Sequence, residues 1–160
     1  MAAHGGLPAR APEVMEAFEV KEPDTGELIA MMRDFYAELG EPFDKNRAER
    51  ALRALLEDPS HGAVWVFRED GRASGYLVVT HGYSLEFAGR IAVVDEVYAV
   101  PETRGQGIGA QALALAEEHC RRNGIEALRL EVHHENHRAL ALYERNGFEA
   151  HDRYLMTKWL

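Results

Sequence analysis

Apolar positions along this 160-residue chain change their spacing several times, and each change predicts an element. Leu28, Met31, Met32, Phe35, Tyr36 and Leu39 recur at helical steps until Gly40, which predicts a helix with one buried face. Asp24 and Glu27 have capping-box spacing at its start. A second helical face, Ala48, Ala51, Leu52, Leu55 and Leu56, comes after another such pair, Asn46 and Glu49, and stops at Pro59. Upstream, the stretch 13–21 has room for a short strand around Phe18 and Val20. Ala63 to Phe67 and Gly75 to Val79 are continuous apolar runs, and Asp70-Gly71 between them is the strongest hairpin signal in the chain. Residues 81–90 read as a longer connection, 91–100 as a long strand and 107–123 as a helix stopped by Asn123-Gly124. A strand at 127–132 and a short helix at 137–145 come next. Residues 148–160, with Tyr154, Leu155, Met156 and Trp159, read as one or two closing strands. Hairpins first and crossovers afterwards predict a single mixed α/β domain, its sheet covered on both faces.

Composition narrows the setting. Residues 1–12 carry little apolar bulk and several breakers and read as a loose leader, leaving 13–160 as one domain. No apolar run approaches the roughly 20 residues that span a bilayer, and the N-terminus lacks a signal-peptide core. The expected location is therefore cytoplasmic, with no membrane partner. Cys120 is the only cysteine, so no intrachain disulfide forms. A net charge of −9 argues against nucleic acid as a partner. His133, His134 and His137 straddle a strand end and a helix start without metal-ligand spacing, so no metal is expected.

The chemistry concentrates where the strand 91–100 meets the helix 107–123. Arg104-Gly105-Gln106-Gly107-Ile108-Gly109-Ala110 places three glycines at a helix start. There the free N–H groups and the helix dipole form an anion site. Arg104 adds a charge able to pair with phosphate. A P-loop needs Gly-Lys followed by Ser or Thr, and Gly109-Ala110-Gln111 stands there instead. Gly105, Gly107 and Ala110 satisfy a dinucleotide fingerprint, but too little chain remains for the second half of a doubly wound domain.

A third reading fits both the loop and the chain beyond it. Arg104, two residues, Gly107, one residue, Gly109 resembles the acetyl-coenzyme A loop of the GNAT N-acetyltransferases, as does the Val100-Pro101-Glu102 that precedes it. Asn136, two residues, Ala139, three residues, Tyr143, three residues, Gly147-Phe148 resembles that superfamily's second motif. The motif region is also similar to that of diamine acetyltransferases. The resemblance implies a central mixed sheet of six to seven strands, splayed between its two central strands and flanked by about four helices. It implies acetyl-CoA as cosubstrate, and it leaves room for a homodimer.

Residue by residue, the resemblance implies that Gly105, Gln106, Gly107, Ile108, Gly109 and Ala110, with Arg104, hold the pyrophosphate. Val97, Tyr98 and Ala99 would pair with the pantetheine arm and offer a backbone N–H to the thioester carbonyl. Asn136 and Ala139 would shape the arm's path, and Tyr143 would act as general acid to the thiolate. Asp95 and Glu96 are the acidic pair for amine deprotonation or binding. Glu96 is the simple choice, because it falls on the face opposite Val97 and Ala99, and a bulge would exchange the two. Phe43, Tyr83, Glu86, Phe87 and Glu131 are expected to wall the acceptor cleft. The acceptor is a small-molecule or peptide amine. The alternative function is an acetyl-CoA-binding domain that senses or docks without turnover.

Overall fold

The computed structural model describes residues 15–21 and 25–160. Asp70 and Gly71 adopt positive φ angles, 49° and 77°, the geometry of a two-residue hairpin turn whose twist matches the flanking strands. They join β2 (Gly62–Glu69) to β3 (Arg72–Ser84). β1 (Glu16–Glu19) pairs antiparallel with β2, β4 (Gly89–Ala99) antiparallel with β3, and β5 (Ala127–Leu130) parallel with β4. Strand order thus follows chain order. The helices are α1 (Gly26–Leu39), α2 (Lys45–Glu57), α3 (Ile108–Arg122) and α4 (His137–Arg145).

Strands buried on both faces read as unbroken apolar runs, and the two cores explain the runs here. On one face Trp65, Phe67, Leu77, Val79, Ala92 and Val94 pack against Ile108, Ala112, Leu113, Ala116 and Cys120 of α3. On the other, Val64, Val66, Tyr76, Val78 and Tyr98 pack against Leu28, Ile29, Met31 and Met32 of α1 and Leu52 of α2.

The sheet has five strands among the described residues, not six to seven. The expected closing strands at 148–160 do not form: no residue from Glu149 onward joins a ladder, and Tyr154, Met156 and Trp159 are 96%, 88% and 78% exposed. Apolar alternation specifies a strand only where a face exists to bury it. This segment is held instead by side chains, Arg153 pairing with Glu86 at 2.8 Å and Trp159 lying under the Arg47 guanidinium. The expected long connection at 81–90 is a tight turn, because pairing continues to Ser84 and Gly89. Asp44 rather than Asn46 caps α2, accepting the Arg47 backbone N–H at 3.0 Å. The leader 1–12 and Asp24 lie outside the described residues.

β4 and β5 pair only from Ile91 to Val94 and from Ala127 to Leu130. Past that point β4 stays on β3 alone while residues 131–133 depart. The edge of β4 from Asp95 to Ala99 that β5 leaves therefore has no strand partner among the described residues, and a cleft opens beside it.

Candidate functional site

This cleft has a volume of about 1340 Å³ and runs between the freed edge of β4, the starts of α3 and α4, and the faces of α1 and α2. A 3-10 turn, Pro101–Thr103, leads from β4 towards α3. Thr103 is buried and pins this turn, donating its hydroxyl to the Ser74 carbonyl at 3.0 Å. Gly105 and Gly107 then take φ values of 83° and 95°, which L side chains rarely adopt. No side chain caps α3, so the N–H groups of its first turn have no intrahelical acceptor and lie at the cleft. A Cβ at Gly109 would stand 2.7 Å from the end of Leu142, so this glycine sets how closely α3 approaches α4. Unsatisfied donors, a positive dipole end and an open groove suit a pyrophosphate.

Arg104 differs from expectation. Its guanidinium grips both Glu38 oxygens, at 2.6 and 2.7 Å, donates to the Ala99 carbonyl at 3.0 Å and lies over the Tyr98 ring. Its charge is thus committed to the end of α1, which leaves backbone N–H groups as the free donors of the loop.

On α4, the Asn136 carboxamide caps the helix by accepting the Ala139 N–H at 3.1 Å. Ala139, Leu142 and Tyr143 line the cleft. The Tyr143 ring meets Phe148 edge-on at 6.0 Å, and its hydroxyl has no hydrogen-bond partner among the described residues. Burial raises its pKa, so it is protonated throughout the neutral range and free to donate.

The acidic pair occupies a bulge. Val78 pairs with Glu96 and Val79 with Val94, so Asp95 is the extra residue. The kink keeps Val97 and Ala99 packed on the α3 side while Glu96 and Tyr98 join the α1 side. Glu96 is only 8% exposed and accepts a hydrogen bond from the Tyr76 hydroxyl at 2.8 Å, while the Tyr36 hydroxyl faces the same carboxylate. Burial raises the Glu96 pKa, the two tyrosines pull it back, and Asp95 adds to the rise. Asp95 is also raised, by enclosure in the cleft. Tyr36 is pushed up to about 12 by burial and by Glu96, so it stays a donor.

Of the expected acceptor residues, Phe43 and Glu131 line the cleft. Tyr83, Glu86 and Phe87 do not. The long β3–β4 hairpin carries them to its far end, where Tyr83 is 73% exposed, Glu86 pairs with Arg153 and Phe87 lies under Arg129. Gln106 turns away too, donating to the Glu102 carbonyl at 3.3 Å. Phe35 and Tyr36, near the end of the α1 stripe, reach the cleft, which also gains Glu38 and Arg47, for which the sequence carries no such pattern, and Tyr76 stands behind Glu96. The helical stripe that carries Tyr36 was the one available signal.

Residues 28–148 match the model of the acetyltransferase (GNAT) family. The chain is 33% identical over 138 residues to a thialysine N-epsilon-acetyltransferase of Bos taurus, covering 81% of each chain. It is 28% identical over 149 residues to an aminoalkylphosphonate N-acetyltransferase of Salmonella typhimurium, covering 92% of this chain and 96% of that one. A predicted acetyltransferase of Clostridium acetobutylicum, solved with acetyl-CoA, superposes with a TM-score of 0.78 at 17% identity, covering 91% of this chain and 96% of that one. At that identity the likeness is one of fold.

Proposed function

This chain belongs to the GNAT acetyltransferase family, and on that premise we propose that it moves an acetyl group from acetyl-CoA to a primary amine within the cleft beside β4. The observation that carries the reading is the joining, in one cleft, of an uncapped helix start, a freed strand edge, an unpartnered tyrosine hydroxyl and a buried carboxylate. When bound, acetyl-CoA supplies an acyl group activated as a thioester. The backbone of Gly105 to Ala110 would hold its pyrophosphate, and the edge of Val97 to Ala99 would align the pantetheine by strand-like pairing. A backbone N–H on that edge would polarise the carbonyl.

An amine attacks only when neutral, and alkyl ammonium groups are mostly protonated at pH 7. Glu96, with Asp95 beside it, would take the amine proton, and its raised pKa makes it a stronger base than an ordinary carboxylate. As the new C–N bond forms and the C–S bond breaks, Tyr143 would give its proton to the departing sulfur. Asn136 and Ala139 would shape the entry of the arm. The relatives named for thialysine and aminoalkylphosphonate support a small amine as acceptor.

The test is acetyl transfer measured over a panel of amines by mass spectrometry of the product. Amine-dependent acetylation supports the reading. Tight acetyl-CoA binding with no transfer to any amine would identify a binding module instead.

A further inference from the structure

Arg47 is an odd residue to find on the wall of an acidic cleft. It projects from the first turn of α2, beside Phe43 and Tyr36, whose rings meet at 5.5 Å. Most cations around the cleft need no further explanation: Arg104 is taken by Glu38, and Arg138 and Arg145 stand on α4, beside the donor loop. The Arg47 guanidinium pairs with no carboxylate among the described residues. It lies over the ring of Trp159, 5.3 Å from the ring centre. Its N–H fork meets no protein acceptor among the described residues, which leaves it able to take carboxylate or phosphonate oxygens in pairs. Arg47 is also close enough to the Tyr36 hydroxyl to act on its ionisation, and that hydroxyl faces Glu96. Phe43, Ala48 and Leu55 line the cleft with apolar surface suited to an alkyl linker.

From this arrangement we propose that the acceptor is a zwitterion: a primary amine presented to Glu96, joined by a short alkyl chain to a carboxylate or phosphonate held by Arg47. The assignment rests on the amine-acetyltransferase reading and narrows it. A diamine would place its second ammonium group against the guanidinium, where like charges repel.

Short ω-amino carboxylates and ω-amino phosphonates, together with alkylamines and diamines of matched length, separate these cases. In the wild type kcat/KM for either anionic acceptor exceeds that for the matched alkylamine and diamine by about tenfold or more, the scale of one charge-assisted pair. Arg47→Gln collapses that ratio towards one, and Arg47→Glu inverts it in favour of the diamine. Because each ratio is taken within one protein, a partly folded variant does not distort it. A wild-type preference for diamines, equal use of all acceptors, or a ratio unmoved by both substitutions overturns the assignment and leaves amine acetylation standing. Transfer to none of the amines overturns both.

Discussion

At 8% exposure, with one tyrosine hydroxyl bonded to it and a second facing it, the Glu96 carboxylate sits where its charged form is hardest to sustain. A carboxyl whose folded pKa exceeds its unfolded value favours the native state when protonated. Its contribution falls as pH rises through the ordinary value, 4.5, towards the folded one. Glu96→Gln therefore raises the melting temperature at pH 7, while the amide still accepts the Tyr76 hydrogen bond. The same variant loses the acid limb of the kcat/KM profile, which in the wild type rises through a pH above 4.5. What remains is the limb set by ionisation of the free amine. A melting temperature that falls, or a profile that keeps its acid limb, contradicts this role. The carboxylate itself was legible in sequence from its strand parity. Tyr76 and the Glu38–Arg104 pair were not, since the latter joins residues 66 apart and no local pattern encodes such a contact.

Between the elements, β3 and α3 meet through a hydrogen-bonded pair of histidines. His81 and His119 stack at 5.1 Å with their Nε2 atoms 2.9 Å apart, so one nitrogen must donate and the other accept. The Ser60 carbonyl lies 3.2 Å from His81 Nδ1, Trp65 packs edge-on against His119, and Asn123 stands at its Nδ1. Glu19 and Arg90 are the charged groups in reach. Burial is the main cause of the lowered pKa of both rings, with Arg90 adding to each and His81 to that of His119. A histidine depressed in the native state takes up its proton more readily unfolded, so stability is full above pH 6.5 and declines as pH falls below it. In thermal melts between pH 8 and pH 5 the wild type should lose more stability on the acid side, or gain less, than His119→Gln, since Glu96 contributes equally to both; identical pH dependence in the two proteins contradicts the pairing. The elements themselves were readable: α4 and the Asp70-Gly71 hairpin fall where pattern and turn chemistry put them. The early end of β5 at Leu130 and the tight turn at 85–88 escaped, because ladder pairing rather than local preference decides where a strand stops.

For the molecule as a whole, the two cores are complete before Glu149. Phe148 packs on the α3-side core, whereas nothing from Glu149 to Leu160 is buried. Ending the chain after Phe148 should leave the thermal midpoint within about 2 °C, since no apolar area leaves the interior. A drop several times larger would mean that the segment does close the sheet. The freed edge of β4 and the uncapped start of α3 arise from global features, the early parting of β4 from β5 and the contact of Gly109 with Leu142. The loop and α4 motifs pointed to the place, and only the assembled sheet supplied the cleft.

The central claim is that one cleft binds acetyl-CoA and an amine and joins them with Tyr143 as proton donor. Its most direct test is the steady-state rate of thiol release with a productive amine, for the wild type and for Tyr143→Phe. The account predicts that kcat falls by about 10²- to 10⁴-fold, the range for loss of a positioned acid, with the affinity for acetyl-CoA little changed. A variant that turns over at the wild-type rate would contradict it.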